Sequence, residues 1–290
     1  MTPTTLTIGA GLGGICILNT RKVERARLYD AAEAVGCGRF VPAMPARTTV
    51  LREAVKRVAD VLCVKRRKQP IVSRQLDDPS SFEARRTIPG AAENDYQFLF
   101  SANIDVNWGV SVLKTNGTTN TASLEHHLSQ KVIAMRDYLP SSVVGQVVVK
   151  MLRHWRATPL KDDGGVWFLL GQHLEDYRTF SSMVRGNGDG PCFTTHQVEI
   201  ASDPDTVMHV LDRLGTEVQA GLADIMNDVM EATGGMADRS INVRLGRADK
   251  FLEKVRLYEQ VLGRPMPDLT AAIEQVKQAV AVNRLLAASV

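Results

Sequence analysis

The chain has 290 residues, 44% hydrophobic and 23% charged, with a formal net charge of +3 at neutral pH. Those proportions exclude an intrinsically disordered chain and allow one large domain or two, and no run of eighteen apolar residues is present to cross a bilayer. The first residues carry no basic stretch followed by an apolar one, so the expected location is cytoplasmic, and Cys16, Cys37, Cys63 and Cys192, with no C-x-x-C among them, read as free buried thiols.

The first segment, "LTIGAGLGGICIL", places Gly9, Gly11 and Gly14 in a G-x-G-x-x-G spacing after a strand-like Leu6-Thr7-Ile8. A dinucleotide fingerprint needs a helix directly after the glycines, so that its N-terminal N–H groups and dipole face the pyrophosphate. Ile15-Cys16-Ile17-Leu18 favours a strand instead, and Asp30 falls inside a helix pattern rather than at a strand end. The expectation is a kinked strand or hairpin with glycines packed tightly on a neighbour, and no cofactor.

Residues 22–35 place Leu28, Ala31, Ala32 and Val35 on one helix face, with Gly36 after it, and residues 48–62 form a second amphipathic helix. The period then changes. "VLCVKR", "PIVSRQ", "FEARRTI", "DYQFLFS" and "NIDVNWGVSVLK" predict an antiparallel β-meander over about 61–114, the last segment alternating through Ile104, Val106, Trp108, Val110 and Val112. Two helices follow, the second with Val144, Val147, Val148, Met151, Leu152 and Trp155 in one stripe. "GVWFLLG", "HLEDYRTFSSMVR" and "PCFTTHQVEI" suggest a β-α-β unit over about 165–200.

The last ninety residues read as helical throughout. Residues 203–232 carry Val207, Leu211, Leu214, Val218, Leu222, Ile225 and Val229 at near-heptad spacing, on a helix of about 45 Å. A helix is expected over 246–262 and another beginning at Asp268 as N-cap. The expected fold is α+β: an antiparallel β-meander flanked by helices in residues 1–200, and an antiparallel helical bundle in residues 201–290.

Two surfaces stand out. The heptad-like seam predicts a homo-oligomer joined through the C-terminal helices, and a non-catalytic, self-associating structural or interaction protein is the leading functional expectation. The alternative is nucleic-acid or other polyanion binding. Residues 1–90 hold 16 Lys+Arg against 8 Asp+Glu, and Lys65, Arg66, Arg67, Lys68, Arg74, Arg85 and Arg86 gather in the predicted meander, without interleaved aromatics. A smaller cationic group, "MLRHWRATPLK", ends a helix, where Arg153, His154, Arg156 and Lys161 suit the dipole without any ligand. The histidines and cysteines show no metal-ligand spacing, so no metal is expected, and no nucleophile, phosphate-loop or zinc-protease motif is present, which leaves an enzyme as a third option whose site would be assembled only in three dimensions.

Overall fold

The computed structural model describes residues 13–62, 71–87, 96–117, 120–162, 165–185, 204–232 and 236–288. In chain order the N-terminal part forms β1 (Gly13–Ile17), β2 (Val23–Glu24), α1 (Arg25–Glu33), a 3-10 turn at Gly38–Phe40 and α2 (Arg47–Leu62). Then come β3 (Ile71–Gln75), β4 (Ser81–Thr87), β5 (Tyr96–Ile104) and β6 (Val110–Thr115). They are followed by α3 (Thr121–Asp137), β7 (Tyr138–Leu139), α4 (Ser141–His154), β8 (Thr158–Pro159), β9 (Val166–Leu170) and α5 (Leu174–Arg185). Three long helices finish the chain: α6 (Pro204–Glu231), α7 (Asp238–Leu262) and α8 (Pro267–Ala288). The fold is α+β, as its periodicities predict, with antiparallel sheets, a four-stranded meander and a C-terminal helical bundle.

The chain divides into two units, but not at residue 200. The first comprises Met1–Arg21, Ala34–Phe40 and Gly145–Val290; the second comprises Lys22–Glu33 and Val41–Val144. The C-terminal helices are therefore not separate from the α+β part. Phe168 and Leu170 of β9 lie in the same buried cluster as Leu214 and Val218 of α6, Val255 and Tyr258 of α7, and Ile273 and Val280 of α8. Helices of this kind bury their apolar stripe against whatever hydrophobic face is nearest, and here a strand completes it.

In the first unit β1 lies antiparallel to β9, which lies antiparallel to β8. Gly13 explains part of the glycine-rich start. A Cβ there would sit 2.4 Å from the Phe168 ring and 2.5 Å from the Leu169 carbonyl, so only glycine lets the two strands and the ring approach. A strand, not a helix, follows Gly14, and its antiparallel pairing is the opposite of a nucleotide-binding β-α-β start. Gly9 and Gly11 lie outside the described residues, as does the strand expected at "PCFTTHQVEI".

The three C-terminal helices run antiparallel. Met208, Glu217 and Asp228 of α6 meet Arg264, Lys254 and Arg244, in that order. Asp249 of α7 meets Lys277 of α8, and the Asn283 side chain accepts from the Met236 backbone at the far end. Helix α7 is longer than the expected 246–262, because its polar first turns carry too little apolar periodicity to mark it. The final helix begins at Pro267, which puts Asp268 in the first turn rather than at the N-cap; its charge still complements the dipole there.

The second unit packs α2 and α3 on one face of the sheet β3-β4-β5-β6. Phe82, Ala84, Phe100, Ala102 and Ile104 point into that core with Leu51, Val55, Leu124 and Leu128. "NIDVNWGVSVLK" is not one strand but the hairpin between β5 and β6. The Asp105 carboxylate accepts from the N–H groups of Asn107 (2.7 Å) and Gly109 (2.8 Å), and Trp108 adopts φ 70° to close the turn. The alternation survives because Ile104 and Val110, and then Ala102 and Val112, face each other across the hairpin. The strand expected at 61–66 opens as the last turn of α2, and the rest of it lies outside the described residues.

Candidate functional site

On α6, Val207, Leu214, Val218, Leu222 and Ile225 are buried, Val229 packs against the same cluster, and Leu211 is half-buried. The seam is thus internal core of a single chain. Its heptad-like spacing reflects α7, α8 and β9 lying along it, an environment that demands the same apolar stripe as a partner helix would.

Of the basic meander set, Arg74, Arg85 and Arg86 fall among the described residues, on the adjacent strands β3 and β4. Lys65, Arg66, Arg67 and Lys68 lie outside the described residues. Arg74 is exposed opposite Glu83 in the β3–β4 register, and Arg85 Nε stands 2.7 Å from Glu83 Oε1. Arg86 donates from Nε to the Gln97 side chain at 2.7 Å. The register between β4 and β5 shifts at Ala84/Arg85, and Gln97 is the register partner of Arg86.

A stronger cationic site lies in the first unit. It is a cleft of 980 Å³ whose lining includes nine Lys or Arg side chains against three carboxylates. The 3-10 turn supplies Arg39 and Phe40. Helix α4 supplies Lys150, Arg153 and His154, and the chain after it Arg156, Lys161 and Asp162. Helix α7 contributes Arg247, Lys250, Phe251 and Lys254, which fall at i, i+3, i+4 and i+7 and so share one face. Helix α6 contributes Arg213, Thr216, Glu217, Ala220, Gly221 and Asp224 at the same period. Gly221 among them lets the Phe251 ring of α7 approach the α6 backbone.

The cations fall into two sets. One set is anchored. Lys254, only 6% exposed, donates to the Ala157 carbonyl (2.8 Å) and to Glu217 (2.7 Å), and burial, its first cause, lowers its pKa, opposed by the Glu217 charge. Arg213 bonds Asp162 at 2.5 Å and reaches the Pro159 carbonyl at 3.4 Å. Arg156 pairs with Glu253 and donates to the Lys250 carbonyl at 3.2 Å. Arg247 approaches Asp224 and Asp228 only at 3.9 and 4.0 Å.

The other set is uncompensated. Among the described residues, Lys150, Arg153 and Lys250 have no carboxylate partner, and Arg39 meets the His154 ring, with Nη2 3.2 Å from Nδ1, and the Phe40 ring, 5.0 Å from its centroid. His154 lies against the Phe40 ring, centroids 5.5 Å apart, and its pKa is lowered by desolvation first and then by the charges of Arg39, His173 and Arg156. Like charges gathered without counter-charges repel one another, and an anion in the cleft removes that repulsion.

Of the sequence-predicted residues, the structure brings Arg153, His154, Arg156 and Lys161 into this site, together with cations from three other segments. Trp155, expected as core, is 4% exposed, between His173 and Tyr177. The missed signal was the cationic face of "RADKFLEK" on α7, which carries helical period as clearly as an apolar stripe does.

No cluster of metal-ligating side chains and no helix long and apolar enough to cross a membrane occurs among the described residues. No curated protein and no solved structure matches the chain. One family model does match, over residues 16–289, a span that takes in described segments of both units. The chain belongs to that family, the family of unknown function DUF6744.

Proposed function

We propose that this protein binds a polyanion bearing repeated phosphates, using the cleft of the first unit. The observation that supports it most directly is the second set of cations: Lys150, Arg153 and Lys250 converge with Arg39 on one concave surface and are not neutralised by described carboxylates. Surface lysines and arginines normally sit among counter-charges. A concentration of this kind focuses the field into the cleft and raises the local concentration of an anion. The anchored set keeps the walls in place, so the free cations need not order the site themselves.

The test is binding of a labelled oligothymidylate of about 16 nucleotides, followed by fluorescence anisotropy across a salt series. The triple variant Lys150→Ala, Arg153→Ala, Lys250→Ala should bind more weakly and flatten the log–log salt slope by about 2, since each lost phosphate contact to a single strand removes about 0.7. These side chains are exposed and unpaired, so the unfolding temperature should hardly move. An unchanged slope would refute the assignment to this cleft.

Self-association is a second reading, carried by a different observation. Met230 of α6 and Val243 of α7 are 71% and 56% exposed, next to the Asp228–Arg244 pair at one end of the antiparallel helices. A second copy covering them would give a mass above 31.8 kDa by light scattering, and Met230→Lys with Val243→Lys should return it to the monomer value.

A further inference from the structure

We propose that the polyanion is a single-stranded nucleic acid whose bases stack on Phe251, with Phe40 as a second platform. This rests on the polyanion reading and deepens it. Phe251, half-buried and packed in part against the apolar cluster of the first unit, also lines the cleft on the α7 face between Arg247, Lys250 and Lys254, and Phe40 stands beside Arg39 and His154. Interleaved cations and aromatic rings are the chemistry that binds single strands: the cations track the backbone and the rings take the exposed base faces.

Phe251 is held for this. Its ring presses on Gly221 of α6, where an added Cβ would be 2.2 Å from Cζ and 2.6 Å from Cε2. Glycine inside a 28-residue helix is unfavourable for helix formation. Its presence at the tip of the ring lets Phe251 lie close against the α6 backbone while still lining the cleft. A duplex does not present base faces, because they are stacked on each other, so it would engage only the cations. A mononucleotide carries fewer phosphates than this cleft has uncompensated cations.

The experiment compares three ligands of equal length on the full chain: a single-stranded oligothymidylate, an abasic oligodeoxynucleotide with the same backbone, and a duplex. The base-bearing strand should bind about tenfold more tightly than the abasic one. Phe251→Leu keeps an apolar side chain over Gly221 but has no π face; it should erase that preference and leave abasic binding unchanged, which also shows that the variant is folded. Gly221→Ala, which displaces the ring, should act in the same direction. Equal binding of both single strands, insensitive to Phe251→Leu, would overturn base stacking while leaving polyanion binding intact. Tighter binding of the duplex would overturn the single-strand assignment. Failure of all three ligands to bind at low salt would overturn the polyanion reading itself.

Discussion

Arg156 shows how much a single residue can carry here. The end of α4 is a Schellman motif: Ala157 N–H bonds the Leu152 carbonyl at 2.9 Å and Arg156 N–H bonds the Arg153 carbonyl at 3.1 Å. The position between them requires a left-handed backbone, and Arg156 adopts it with φ 58°. Glycine is the usual residue there, and a side chain with Cβ costs about 1 kcal/mol. Arg156→Gly relieves that cost and loses an exposed hydrogen bond to the Lys250 carbonyl and a partly exposed ion pair with Glu253, the latter worth about 0–1 kcal/mol. Stability should therefore change by less than about 1 kcal/mol in a denaturant titration, while oligonucleotide affinity falls. A variant destabilised by several kcal/mol would show that Arg156 is there for the fold alone. His154 supplies a second residue-scale expectation. Its pKa lies below the ordinary 6.5 through desolvation first and then through the charges of Arg39, His173 and Arg156; an anion in the cleft offsets those charges and raises it. Binding then takes up a proton, so affinity should rise as pH falls toward the depressed pKa of the free protein, and His154→Gln should flatten the profile.

At the scale of elements, helical period was legible and its meaning was not. The stripe on α6 is a true apolar face, but an apolar face states only that something covers it, not which molecule does so. Intramolecular cover predicts a stability effect: Leu214→Ala should cost about 2–5 kcal/mol through a buried cavity, read from the denaturation midpoint of the chain itself and independent of protein concentration. A midpoint that shifted with concentration would return the seam to an interface between copies. The β5–β6 hairpin makes the converse point. Alternation across "NIDVNWGVSVLK" looked like one strand because the turn held by Asp105 returns the chain in register, keeping Ile104 and Val110 opposite each other.

For the whole molecule, a charge count along the chain hid the site. Residues 91–200 and 201–290 both carry more acids than bases, yet they supply every cleft cation except Arg39. The acids of α6, α7 and α8 largely face elsewhere or pair with one another's cations, as in Asp228–Arg244 and Asp249–Lys277. The shared core has its own consequence. Deleting residues 201–290 would strip the cover from Phe168 and Leu170, so the truncated chain should lose cooperative unfolding of its first unit and aggregate, rather than yield a well-behaved smaller protein. A soluble fragment with an intact thermal transition for β1, β8 and β9 would contradict that.

The sequence by itself determined the α+β class, the meander, the three C-terminal helices and the strand after the glycines, because period 2, period 3.6 and glycine or proline punctuation are local properties of a chain. It also marked Trp155 as core. Only the tertiary structure decided that the α6 seam is internal, that the adjacent arginines of the sheet are paired along it, and that cations more than two hundred residues apart line one cleft. Coulombic interactions depend on distance in space and not on distance along the chain. A field built from four separate segments therefore exists only once α4, α6 and α7 have packed.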